Sequence, residues 1–211
     1  MEIKFDHKAR YNIAPTQKCP VVTVQEENRE LAAMHWGLIP SWAKDDKMAS
    51  RLINARAETV HEKPSFKESF KTKRCLVPAD GFIEWKKNES GKQPHYFTLR
   101  DEALFAFAGI WSEWKKDGGS LRTFSIITTD CNSLVQPIHH RMPVILAPGD
   151  YKVWLAPASD LKTLQSLLAP FPADLMKRVA VSPEINSPKN DRMECLQRTV
   201  PPKTQTSLFP E

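Results

Sequence analysis

Little in this chain speaks for a metal, a disulfide scaffold or a membrane. Its four cysteines, Cys19, Cys75, Cys131 and Cys195, stand far apart with no Cys-x-x-Cys pair. That argues against a zinc knuckle and demands no disulfide. His35, His61, His95, His139 and His140 show no ligand spacing, so neither a metal nor a cofactor is expected. No charged-then-apolar leader opens the chain and no apolar run reaches about 18 residues, so the expectation is a soluble, cytoplasmic, nucleoid-associated protein without a membrane partner. There is no internal repeat, no serine elbow and no Cys-His pair that sequence can bring together. Glycine is sparse, 7 residues against 17 prolines, which favours rigid, extended connections over long helices.

What the chain does have is a core and a charge. At 211 residues it suits one domain, and 41% hydrophobic residues rule out wholesale disorder. A net charge of +5 with six tryptophans leans towards nucleic acid, because positive grooves with aromatic platforms hold single strands. Short apolar runs bounded by charged or glycine-containing turns predict strands at 21–25, 31–36, 75–77, 82–86, 96–99, 104–111, 123–129 and 144–146. Short helices are expected at 65–70, from Pro148 through Leu155, and from a Ser159-Asp160 cap through Leu168. Residues 11–17 and 37–42 read as loops, the second with an aromatic tip. The class is α+β: a single mainly-β domain over residues 1–197, of twisted sheets or an open barrel with a few short helices, and a flexible tail over 198–211.

The central stretch is Pro78 to Lys87. An Ala-Asp-Gly turn feeds an aromatic-rich strand in which Glu84 sits between Ile83 and Trp85. Side chains alternate along a strand, so Phe82 and Glu84 share one face and Ile83 and Trp85 the other. An acid in such company faces water, finds a partner or has a raised pKa, and the last is how enzymes tune a glutamate for proton transfer.

Six segments in order, Arg10-Tyr11-Asn12-Ile13-Ala14-Pro15, Trp36 to Trp42, Ile53-Asn54-Ala55-Arg56-Ala57-Glu58, Gly81 to Trp85, Ile138 to Pro143 and Ala147 to Tyr151, closely resemble the SOS response-associated peptidase (SRAP) family, from about Arg10 to about Val181. The resemblance implies an abasic-site processing enzyme acting on single-stranded DNA, with peptidase or hydrolase and lyase-type character. In the family an N-terminal cysteine exposed by self-processing condenses its amine with the sugar aldehyde, and its thiol closes a thiazolidine crosslink. The resemblance makes Glu84 the catalytic proton shuttle, His139 the group moving protons on the sugar hydroxyl, and Asn54 a holder of substrate or N-terminal backbone. It makes Arg56 and Arg141 phosphate contacts and Trp42 a wedge stacked on a base, with Asn12 and Pro40 also on the DNA side. Read without the family, Asn54 can cap a turn, Arg56 can pair with Glu58, and His139 or Trp42 can be core side chains. His140 reads as exposed, Trp36 and Trp111 as core.

Position 2 is Glu2, and the family's Cys-Gly-Arg-Phe opening is absent, so the expectation is a shortened start and DNA binding without a stable crosslink. The alternative reading is a non-catalytic single-strand binding module. In the tail, Gln205, Leu208 and Phe209 lie in a Gln-Thr-Ser-Leu-Phe run that resembles the peptide by which bacterial repair proteins dock on the DNA sliding clamp.

Overall fold

The computed structural model describes residues 2–3, 8–25, 28–89, 91–116 and 118–198. Its strands are β1 (Glu2–Ile3), β2 (Lys18–Gln25), β3 (Asn28–Trp36), β4 (Asn54–Arg56), β5 (Arg74–Ala79), β6 (Phe82–Asn88), β7 (Gly91–Leu99), β8 (Phe105–Lys116), β9 (Gly119–Asp130), β10 (Arg141–Pro143), β11 (Ile145–Leu146) and β12 (Met176–Ala180). Short helices α1 (Lys67–Thr72), α2 (Tyr151–Leu155) and α3 (Leu161–Ser166) pack outside them. Asp160 caps α3 as its sequence suggests, its side chain accepting from the Thr163 amide at 3.0 Å.

Antiparallel pairing carries the sheet from β3 through β2, β5 and β8 to β9, and a short parallel pairing of His35 with Thr123 and Trp36 with Phe124 returns β9 to β3. The mainly-β expectation holds, and the ring closes where an open barrel was equally compatible with the strand pattern. Inside it lie Val21, Met34, Cys75, Val77, Phe107, Phe124 and Ile126. The outward residues Leu76, Ala108, Ile110 and Ile127 pack under Phe70 of α1 and Trp154 of α2. Strands β5 and β9 are thus covered on both faces, which is why their sequences read as continuous apolar runs instead of alternating ones.

A second sheet, in the order β12-β7-β6, stands beside the ring. Gly81 sets its entry: a Cβ there would lie 2.2 Å from the Tyr96 ring and 2.6 Å from the Phe97 carbonyl oxygen, so only glycine lets β6 approach β7 so closely. Phe82 then stacks on Phe97 at 5.0 Å between centroids and joins the barrel core. Ile83 points the other way, towards a small cluster of Val181, Ile185 and Cys195. The two-residue alternation read from the sequence is therefore the one that forms.

The segment after β12 is fastened to the loop before β2. Asn12 is buried, and its amide donates to the carbonyls of Ile185, Ser187 and Asn190 at 3.0, 3.1 and 3.1 Å. Asp191 accepts from the backbone amides of Tyr11 and Asn12 at 2.6 and 2.9 Å and pairs with Arg10. Burial works to raise the Asp191 pKa, but the two amides and the Arg10 guanidinium outweigh it and hold the carboxyl below its ordinary value. A depressed folded pKa contributes stability that is present above the unfolded value and lost as pH falls through the folded one. Asp191→Asn should therefore cost about 1–3 kcal/mol near neutrality, and the gap between mutant and parent should narrow in urea titrations carried from pH 7 towards pH 3. A gap independent of pH refutes this account.

Candidate active site and nucleic-acid interface

Glu84 lies at the middle of β6, the edge strand of the small sheet. The edge position does not expose it: its side chain is only 24% accessible, and one carboxylate oxygen stands 3.8 Å from Nδ1 of His139. Burial pushes the Glu84 pKa above the ordinary carboxylate value, while the neighbouring His139 and the Trp85 backbone amide pull it part of the way back. The result is a carboxyl that keeps its proton closer to neutrality, the condition for a general acid.

His139 is positioned by its own backbone. It follows a turn in which Ile138 and His139 donate to the Val135 carbonyl at 2.8 and 3.0 Å. Its Nδ1 lies 3.0 Å from the Arg141 carbonyl and 3.2 Å from the Arg141 amide. Local bonds of this kind fix the ring without a tertiary acid. His140, exposed, lies against the same ring with centroids 4.5 Å apart.

Arg141 leaves this turn for β10, where it pairs with Asp130 of β9. Its guanidinium is already engaged: it bonds both oxygens of Glu58 at 2.7 and 2.9 Å, Asp130 at 2.9 Å and the Thr128 carbonyl at 2.6 Å. The partner of Glu58 is thus Arg141, with Arg56 acting on Glu58 only through its field. Arg56 itself is exposed on β4, as is Asn54. β4 and β10 flank the end of β9, with Arg56 and Pro143 both opposite Thr128. Asn54 and His139 are thereby carried by segments on either side of residues 126–130, and the Arg141–Glu58 bridge ties the two sides together.

The loop from Gly37 carries the aromatic tip. Gly37 has φ +134°, and a Cβ there would meet the Ala49 carbonyl oxygen at 2.5 Å. Pro40 is buried at the root, and the Trp114 indole donates to the Ala43 carbonyl at 2.7 Å. Trp42 is left 59% exposed on a tethered loop, which disposes of the core reading for it. Trp111 is in the core and Trp36 packs against it, as their sequence context suggests. Trp85, next to Glu84, is partly exposed and donates to Asn186 at 2.7 Å.

Asn12, placed on the DNA side by the resemblance, has its amide nitrogen committed to three carbonyls, so it shapes the fold at this point. Gln205, Leu208 and Phe209 lie outside the described residues. Asp130 has no role in the sequence reading, and Glu58 enters it only as a possible partner of Arg56. Nothing local marks an acid as the partner of an arginine 83 positions away.

A closed mainly-β barrel with a small side sheet presents a shielded carboxyl to an imidazole. A model of the SOS response associated peptidase (SRAP) family matches residues 2–188, and the chain belongs to that family. It is 46% identical over 196 residues to the abasic site processing protein YoaM of Bacillus subtilis, covering 92% of this chain and 86% of that protein. The abasic site processing protein HMCES of Gallus gallus is 36% identical over 224 residues, covering 90% and 66%. A crystal structure of a protein from Bacteroides thetaiotaomicron superposes with a TM-score of 0.81 at 37% identity, covering 88% of this chain and 82% of that one. Among the described residues no helix is long and apolar enough to cross a membrane.

Proposed function

We propose that this chain processes abasic sites in single-stranded DNA as part of the response to DNA damage. The observation that carries the reading is the shielded Glu84 carboxyl, 3.8 Å from His139, and the names of the relatives support it. An open abasic sugar offers an aldehyde. An amine adds to it, and the resulting hydroxyl leaves as water only when protonated; Glu84 supplies that proton and later recovers one from solvent. His139 moves protons on the sugar hydroxyl and Asn54 holds the substrate. Exposed Arg56 grips a neighbouring phosphate. Arg141 reaches one only by giving up Glu58 or Asp130, so its main task is to hold β4 and β10 together. Trp42 stacks on a base beside the lesion.

A thiazolidine needs a thiol and a free α-amine on one residue. Cys19, Cys75 and Cys195 are buried, Cys131 is half-buried, and all four are internal. Burial also pushes the Cys19 thiol up to about 12, away from nucleophilic use. A polypeptide of these 211 residues should therefore bind an abasic single strand without a heat-stable adduct, and one carrying Cys-Gly-Arg-Phe ahead of Met1 should form it. Fluorescence anisotropy with denaturing gels tests both. Trp42→Ala should weaken binding by about 1–3 kcal/mol, roughly 5- to 150-fold. Equal affinity for single-stranded and duplex DNA, or a heat-stable adduct on the unextended polypeptide, overturns the reading. Binding that never leads to processing points instead to a non-catalytic module.

The tail segment with Gln205, Leu208 and Phe209 is assigned to the sliding clamp, Leu208 and Phe209 filling an apolar pocket while Gln205 bonds its rim. A peptide of residues 198–211 should bind a clamp by calorimetry, and Leu208→Ala with Phe209→Ala should abolish the signal. An unchanged signal rejects the assignment.

A further inference from the structure

His95 of β7 stands directly opposite Glu84 of β6 in the strand register. Directly paired residues share a face, with Cβ atoms roughly 4.5–5.5 Å apart. Both ring nitrogens of His95 are shut off from water, and neither has a hydrogen-bond partner among the described residues. Glu84 is the complementary case. The contact of its side chain with His139, at 3.8 Å, is too long for a hydrogen bond, and the His139 nitrogen involved is already occupied by the Arg141 backbone. The unpartnered imidazole of His95 therefore shares a face, across a single strand pairing, with a carboxyl that has acceptor positions left beyond the Trp85 amide. Leaving such groups unsatisfied is costly, and rotation of a glutamate side chain is cheap.

We propose that His95 is a positioning residue for Glu84, its imidazole N–H bonding the carboxylate and its bare nitrogen accepting from the carboxylic acid. A neutral imidazole carries one donor and one acceptor, so it serves both protonation states without gaining or losing a proton. Its surroundings favour neutrality: burial lowers the His95 pKa, and Arg178 on β12 and then Lys86 on β6 act in the same direction. Arg178 is itself held against the 132–139 turn by a bond to the Leu134 carbonyl at 3.0 Å. His139 faces Glu84 from that same turn. His95 thus supports the anion that proton transfer creates, and it limits how far burial can raise Glu84.

This inference rests on the role given to Glu84 above, but its test needs no DNA. The Glu84 carboxyl is titrated by carbon-detected NMR in the free protein, in His95→Phe and in His95→Gln. Removing the imidazole with phenylalanine should raise the midpoint by about one pH unit, because the bond to the carboxylate is roughly twice as strong as the bond from the acid and the difference is lost. Glutamine, which keeps a donor, should hold it within about 0.3 unit of the parent. In the parent protein the His95 ring nitrogens should report an inflection at the Glu84 midpoint that vanishes in Glu84→Gln. A midpoint unmoved in folded His95→Phe overturns the proposal. If that variant does not fold, absence of the inflection in the parent protein overturns it. With the Cys-Gly-Arg-Phe-extended polypeptide on abasic DNA, the pH profile of processing should move with the Glu84 midpoint in His95→Phe while affinity for the strand stays unchanged; loss of affinity would mark a structural role.

Discussion

In the polypeptide carrying Cys-Gly-Arg-Phe ahead of Met1, Glu84→Gln should slow processing of an abasic single strand by about 10²–10⁴-fold, the usual contribution of a positioned general acid, and should leave strand affinity nearly intact. Single-turnover assays on an abasic oligonucleotide, with affinity measured separately, check both halves. The same substitution should not destabilise the fold. For an acid whose folded pKa is raised by burial, the native state holds the extra proton, so stability declines as pH climbs from the ordinary carboxylate value through the folded one. An uncharged amide escapes that decline. Urea midpoints at pH 7 should therefore be equal or higher for Glu84→Gln, and at pH 4 the two proteins should converge. Loss of activity with no loss of stability separates a group kept for chemistry from one kept for packing. A variant that is both slow and unstable would mean the carboxylate is a structural ion-pair member.

Arg74→Met should be the most damaging substitution for the fold. Arg74 is 4% exposed, and its guanidinium donates to the carbonyls of Phe70, Lys71, Trp154 and Ala156 at 2.8, 2.6, 2.7 and 2.6 Å. Those oxygens end α1 and α2, where carbonyls lack helical partners. One arginine thus closes two helices and ties them to β5, and its own burial lowers its pKa. Methionine fills similar volume but leaves four carbonyls unanswered. About 3–4 kcal/mol should be lost, a fall in Tm of roughly 10 °C for a chain of this size. Arg74→Lys should recover part of it, since an ammonium offers three donors from a single point and lacks the planar fork. A Tm within about 2 °C of the parent for Arg74→Met would refute this account.

The sequence announces most of the barrel because its strands bury alternate or continuous apolar residues over short spans. Where pairing is decided by distant partners, the pattern falls silent. Strand β4 is three residues long, Asn54–Arg56, and is a strand only because it pairs in parallel with β9, about 70 positions on. β12 likewise exists through its pairing with β7. The β8–β9 hairpin continues through Lys115 and Ser120, polar positions at which the apolar rhythm has already ended. For the site, the Ala-Asp-Gly turn and the alternation around Glu84 are visible in one dimension, and so is an aromatic at the tip of the 37–42 loop. What stays hidden is how polar groups are spent. Asn12 and Arg141 carry the chemistry of DNA contacts, yet the fold turns the first to three carbonyls and the second to two carboxylates. His95 is legible only in register, once β6 and β7 are laid side by side.

The return of β9 to β3 rests on two residue pairs, His35 with Thr123 and Trp36 with Phe124, continued by the Gly37 amide on the Phe124 carbonyl at 2.8 Å and the Ile39 amide on the Thr123 hydroxyl at 2.9 Å. This is the parallel seam of the cylinder and one of its short pairings, and local opening follows such short lines. Amide protons at Gly37 and Ile39 should exchange faster than those of the long β8–β9 hairpin. Each such breath loosens the root of the tryptophan-bearing loop while the acid on its separate sheet stays put, so the part that grips a strand can yield without disturbing the part that reacts.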